Sequence, residues 1–270
     1  FIYIFQYYIY KMTNPSMETM SKLAESTYVM GNKTKSKTKR IQETQDAVNS
    51  TGFIVNPEWT NSEITTYQDA KNPKRVVIAH RGTSVGNRRG QSDLKADLSL
   101  ALGQGDTDST FRRRKQRTNK IINALQPEEL HLSGHSLGGS TINNTIAKSR
   151  KVQQYLTSAS SFNAGANPLF SNGMKVSKKQ SKILKDKVTH HRIKNDPVSL
   201  GFATNVPFGT VKTHSVKHDS NKGKSLLQNL AESATSFGKA KRFTEKGIHA
   251  HMISHFYDGS IKKKKKKKKS

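Results

Sequence analysis

The stretch Leu130-His131-Leu132-Ser133-Gly134-His135-Ser136-Leu137-Gly138-Gly139 decides the fold. It runs from a short apolar strand, Leu130 to Leu132, through a G-x-S-x-G pentapeptide into a helical segment, Leu137 to Ala147. A serine on a sharp strand-to-helix turn needs a strained backbone, and the residues two before and two after it must be tiny. Gly134 and Gly138 meet that need, because they let strand and helix close up without a Cβ clash. Such an elbow exposes the Ser136 hydroxyl at a helix N-terminus. It also aims the Leu137 amide at the place where an oxyanion would form. A glycine-rich turn that merely caps a helix would share the pentapeptide, but the strand, the helix and Gly139 favour the catalytic reading.

Upstream, Met17 to Met30 reads as a helix with Met20, Leu23 and Ala24 on one face. A basic segment (Lys33, Lys35, Lys37, Lys39, Arg40) leads into a second helical stretch that ends near Val48. Strand patterns follow at Phe53 to Val55, Ile64 to Tyr67 and Arg75 to Ala79, the last two joined by a turn at Lys71-Asn72-Pro73-Lys74. Phe111, Thr118, Ile121, Ile122 and Leu125 stand at helical spacing. Thr157 to Asn163 and Val188 to Ile193 are further strand candidates. Alternation of this kind predicts an α/β fold with a mostly parallel central sheet flanked by helices. There is no internal repeat.

The segment Val76-Val77-Ile78-Ala79-His80-Arg81-Gly82-Thr83, followed 52 residues after Gly82 by Gly134-His135-Ser136-Leu137-Gly138-Gly139, resembles the fungal-type (class 3) lipase family of α/β hydrolases. Asp93, Ala96-Asp97-Leu98, Phe162-Asn163-Ala164-Gly165 and Asn195-Asp196-Pro197-Val198 follow in the family's order, so the resemblance covers roughly residues 64–256. It implies an α/β-hydrolase fold and a Ser-Asp-His triad that cleaves acyl esters of lipids with no cofactor. His80 departs from the family's usual Phe, which should alter packing beneath the oxyanion loop. Four segments are expected: residues 1–11, a leader outside the working protein; 12–50, a helical N-terminal extension; 51–260, the hydrolase domain; and 261–270, a disordered poly-Lys tail.

Ser136 requires a general base, and the base requires an orienting carboxylate. After the elbow the acids are Asp186, Asp196, Asp219, Glu232, Glu245 and Asp258. Asp196 follows a strand end, where a loop stiffened by Pro197 can reach the site, and the resemblance selects it too. Five histidines follow Asp196: His214, His218, His249, His251 and His255. The resemblance prefers His251, through Ile253 and Phe256 beside it, and leaves His249 and His255 as alternatives. It also implies that the Thr83 amide is the second oxyanion donor; Arg81 is read as a structural ion-pair partner for Asp93 or Asp97 rather than a substrate contact. The spacings among His249, His251 and His255, with no acidic partner nearby, argue against a metal site.

The net charge is +28 over 270 residues, with no cysteine. Disulfides, thiolate metal sites and a cysteine nucleophile are therefore excluded. The absence of cysteine and of a convincing signal peptide makes an intracellular location the expectation. No apolar run reaches the roughly 18 residues that cross a bilayer as a helix. Residues 84–105, where the family carries an apolar lid, hold Arg88, Arg89, Asp93, Lys95 and Asp97, so a large greasy lid is not expected. Clusters at Arg112-Arg113-Arg114-Lys115, Arg117, Lys178-Lys179, Lys182 and Lys239-Lys241-Arg242 point to an anionic membrane surface as a partner. A phospholipase A-type enzyme is therefore one alternative. A nucleic-acid- or membrane-binding protein on an inactive hydrolase scaffold is the other. Oligomeric state is not readable from the sequence.

Overall fold

Three apolar stretches, Arg75–His80 (β3), Glu129–His135 (β4) and Leu156–Phe162 (β5), form the centre of a seven-stranded sheet. β3 and β4 are buried along their whole length, as strands covered on both faces must be. The computed structural model describes residues 14–82, 107–165, 176–194, 196, 199, 208–216, 252–259 and 261. The remaining strands are Phe53–Val55 (β1), Ile64–Asp69 (β2), Val188–Ile193 (β6) and Thr210–His214 (β7). Their spatial order is their chain order, β1 to β7. β1, β2 and β3 pair antiparallel, and β3 through β7 pair parallel. The expected fold class, a mostly parallel sheet flanked by helices, is the one observed.

A parallel sheet that advances in one direction has a physical consequence. Crossovers of a single hand all lay their helices on the same face. Thr107–Leu125 (α3), Leu137–Lys148 (α4), Arg150–Tyr155 (α5) and Lys178–Leu184 (α6) are those crossover helices. Ile121, Ile122, Ile142, Ile146, Val152 and Leu184 from them pack with Val76, Ile78, Leu130 and Leu132 of the sheet.

The opposite face is covered by the N-terminal helices, Met17–Met30 (α1) and Lys37–Val48 (α2). Met20, Leu23 and Ala24, the predicted face of α1, meet Val77, Ala79 and Tyr67 there. β3 thus alternates its side chains between the two cores, as the period of two requires. Polar pins hold α1 in place. Ser133 Oγ donates to Met20 O at 2.8 Å, and Tyr67 Oη donates to Leu23 O at 3.1 Å. The segment expected as an extension therefore lies on the sheet itself. Among the described residues no helix is long and apolar enough to cross a membrane.

Candidate active site

The parallel strands all end on one edge, and β4 ends there in the serine elbow. Ser136 has φ 54° and ψ −125°, a backbone conformation that costs of order 1–3 kcal/mol for a residue with a Cβ. Its amide donates to Phe162 O of the neighbouring strand at 2.9 Å, and its hydroxyl does not cap the helix. Leu137 opens α4, so its amide belongs to the first turn, whose donors have no partner within the helix. The glycines are there for contact. A Cβ on Gly134 would stand 2.5 Å from the Gly138 backbone, and one on Gly138 would stand 2.1 Å from His80 O.

β3 reaches the same edge one strand away. A Cβ on Gly82 would lie 2.6 Å from His135 O, so the start of the expected oxyanion loop rests against the elbow. Thr83 itself lies outside the described residues. His80 is fully buried, and its Nε2 lies 3.0 Å from Thr118 Oγ1. Thr118 gives its own proton to Arg114 O at 2.9 Å, so His80 must be the donor between them, through Nε2–H. Burial, then the Arg114 charge, hold His80 well below its ordinary pKa and therefore neutral. The loop expected above it lies outside the described residues from Thr83 on.

A contact between residues 107 apart in the chain was invisible in the sequence: Tyr28 Oη of α1 sits 2.8 Å from His135 Nδ1. Burial raises the Tyr28 pKa against the pull of Arg81 and Arg114, which keeps the phenol protonated. Arg114 is only 4% exposed and donates to Arg81 O at 2.6 Å, so it supports the chain where β3 ends. Burial thus removes it from the basic cluster that the sequence places on an anionic surface. Burial pushes its pKa down to about 10 despite Glu63 nearby. Arg113 likewise holds Glu63 in a paired contact, at 3.0 and 2.5 Å. Arg112, Lys178, Lys179 and Lys182 remain exposed, while Lys239, Lys241 and Arg242 lie outside the described residues. The partners expected for Arg81, Asp93 and Asp97, lie outside them as well.

Two strands beyond the elbow, Asp196 follows the end of β6. It is fully buried, its amide donates to Ile193 O at 3.2 Å, and its Oδ2 accepts from Ser199 N at 3.1 Å. Asn163 sets the height of that strand end: its amide donates to His191 O at 2.8 Å and its Oδ1 accepts from Ile193 N at 2.9 Å. His251 and His249 lie outside the described residues. The chain immediately after them does not. Ile253 and Phe256 are buried against Phe162 and Ile193, at the ends of β5 and β6. The Phe256 ring centroid stands 4.9 Å from that of Phe162.

His255 is buried, with Nδ1 3.9 Å from Asp258. His214 Nε2 lies 3.1 Å from His191 Nδ1, and burial lowers the pKa of both. His218 lies outside the described residues. Among the described residues no group of three His, Cys, Asp or Glu could hold a metal.

No family model matches the chain, and no curated protein matches it. Two similar solved structures are lipase II from Rhizopus niveus and a mutant form of MDLA from Penicillium cyclopium. The first is 16% identical with a TM-score of 0.42, over 75% of this chain and 80% of that one. The second is 14% identical with a TM-score of 0.41, over 75% of this chain and 79% of that one. Likeness at this level assigns no role to any residue.

Proposed function

We propose that the chain is a serine hydrolase of carboxylic esters, acting on acyl esters of lipids. The observation that carries this reading is the backbone of Ser136: a non-glycine residue at φ 54° between a buried parallel strand and a helix N-terminus. Strain of this kind persists only where surrounding packing imposes it, and here Gly134 and Gly138 do so. The rest of the reading assigns roles around that serine. Ser136 Oγ attacks the ester carbonyl while His251 takes its proton. Asp196, buried at the same sheet edge, orients His251 and stabilises the imidazolium. The amides of Leu137 and Thr83 hold the oxyanion, each worth roughly 100- to 1000-fold in turnover. His251 then returns the proton to the leaving alcohol, and water activated by the same base releases the acid.

A p-nitrophenyl ester series tests the reading, with the full chain, Ser136→Ala and His251→Ala side by side. Turnover lost in both variants is the expected outcome, and the chain-length preference of the unmodified protein then names the acyl group. Turnover that survives Ser136→Ala would sink the assignment. Loss in His255→Ala or His249→Ala but not in His251→Ala would move the base to that residue.

A further inference from the structure

Where the turn between α1 and α2 meets the loop leading into β2, the surface opens into a cleft of about 350 Å³. Lys33, Lys37 and Arg40 line one side, and Thr60, Asn61 and Ser62 the other. No carboxylate is among the lining residues. Of the acids near it in the chain, Glu43 pairs with Lys35 at 2.7 Å and Glu63 with Arg113, while Glu58 is exposed and not among the lining residues. Among the described residues neither Lys33 nor Lys37 makes an ion pair.

Arg40 is half-buried and held in place, because one guanidinium nitrogen donates to Met30 O at 2.6 Å. Its Nε is buried without a hydrogen-bond partner. The opposite wall has its acceptors committed: Asn61 Oδ1 takes the amides of Glu63 and Ile64, and Thr60 Oγ1 takes that of Thr66. What remains to face a ligand is positive charge, the Ser62 hydroxyl and the apolar Met30. The volume falls within the range of about 300–1,000 Å³ usual for small-ligand sites.

We propose that this cleft binds a phosphate group, a ligand chemistry that suits three basic side chains and a hydroxyl with no carboxylate among them. The phosphate could arrive free or on a phospholipid headgroup. Ile64 pairs with His80, and Arg81 N donates to Glu63 O at 2.9 Å, so the cleft stands on the strand-end edge that also carries the elbow. The proposal does not depend on Ser136 being a nucleophile.

Trp59, the chain's single tryptophan, precedes Thr60 in the cleft wall and reports on it directly. The full chain is titrated with inorganic phosphate at an ionic strength fixed with chloride, and Trp59 emission is followed. A saturable change is expected. Lys33→Gln/Lys37→Gln should weaken it about tenfold or more, while Lys120→Gln/Lys148→Gln, which removes the same charge elsewhere, should leave it unchanged. No saturable response, or equal weakening by the two double variants, overturns the proposal. A second arm identifies the source, using vesicles of equal negative charge made with phosphatidic acid or with oleate. Preference for phosphatidic acid that Lys33→Gln/Lys37→Gln abolishes assigns the site to a lipid headgroup. A saturable Trp59 response without that preference assigns it to free phosphate.

Discussion

At the N-terminal ends of β3 and β4, Arg75 lies 3.6 Å from Asp69 and 3.2 Å from Glu129, and His131 Nε2 lies 3.6 Å from the same Glu129 carboxylate. All four side chains are less than a tenth exposed. At the C-terminal ends of the same strands stand the strained Ser136, two glycines with no room for a Cβ, and a His80 whose Nδ1 is buried without a partner. One end gathers buried charge, two carboxylates around one guanidinium, with its positive φ kept to Gln126 in the turn before β4. The other accepts strain and leaves groups poised. The two ends should therefore fail differently, the first by unfolding and the second by losing chemistry.

The largest expected effect is at the strained end. Ser136→Ala should cut ester turnover by about 10⁴-fold or more while leaving the thermal midpoint within a few degrees. A collapse of stability instead would mean that the serine is there for the fold. At the charged end, Arg75→Met should cost about 3–5 kcal/mol in urea unfolding, because two carboxylates would be left buried without their cation. Turnover per folded molecule should be unchanged, and a parallel loss of turnover would erase the distinction.

Acid should attack through buried imidazoles. Burial holds His131 at about 3, His190 at about 4 and His191 at about 3, against an ordinary 6.5. As pH falls below 6.5 the unfolded chain takes up protons first. Stability is thus full above that value and drains as pH approaches the folded values, by up to about 1.4 kcal/mol per pH unit for each histidine. Urea midpoints at pH 7, 6, 5 and 4 measure the slope, and His131→Gln should make it shallower. A slope unaltered by that change would show that His131 is not among the groups responsible. The smallest effect is expected from Tyr28→Phe, which removes one hydrogen bond at the elbow: about 1 kcal/mol of stability and a few-fold change in turnover. If both quantities stay put, the Tyr28–His135 contact plays no part in shaping the elbow.

Much of this arrangement was readable because it depends on local pattern. Met17–Met30 and Val188–Ile193 coincide with their predicted bounds, and the elbow glycines announced a close approach that the backbone exhibits. Arg150–Tyr155, Lys178–Leu184 and Thr210–His214 carried no such pattern. The last is an edge strand with no buried residue and so no alternation to detect. Whether α1 stood apart or covered the sheet could not be read either, since that follows from the order of the strands. At the site, Ser136 and Asp196 were marked by spacing and neighbours. Tyr28 and the buried Arg114 are defined by contacts across the fold, and nothing local marks them.

The polar pins that fasten α1 have a consequence for how the chain reaches its folded form. Ser133 lies 113 residues from Met20, and Tyr257, hydrogen-bonded to Glu25, lies 232 residues away. Contacts of such separation close late, after the loop entropy between them has been overcome. α1 leaves the ribosome before its docking partners in β4 and beyond, which are made long afterwards. Until then the Val77 and Ala79 face of the sheet stays open to water. Folding should be slow, and a chain that stalls before docking α1 is the species at risk of sticking to its neighbours.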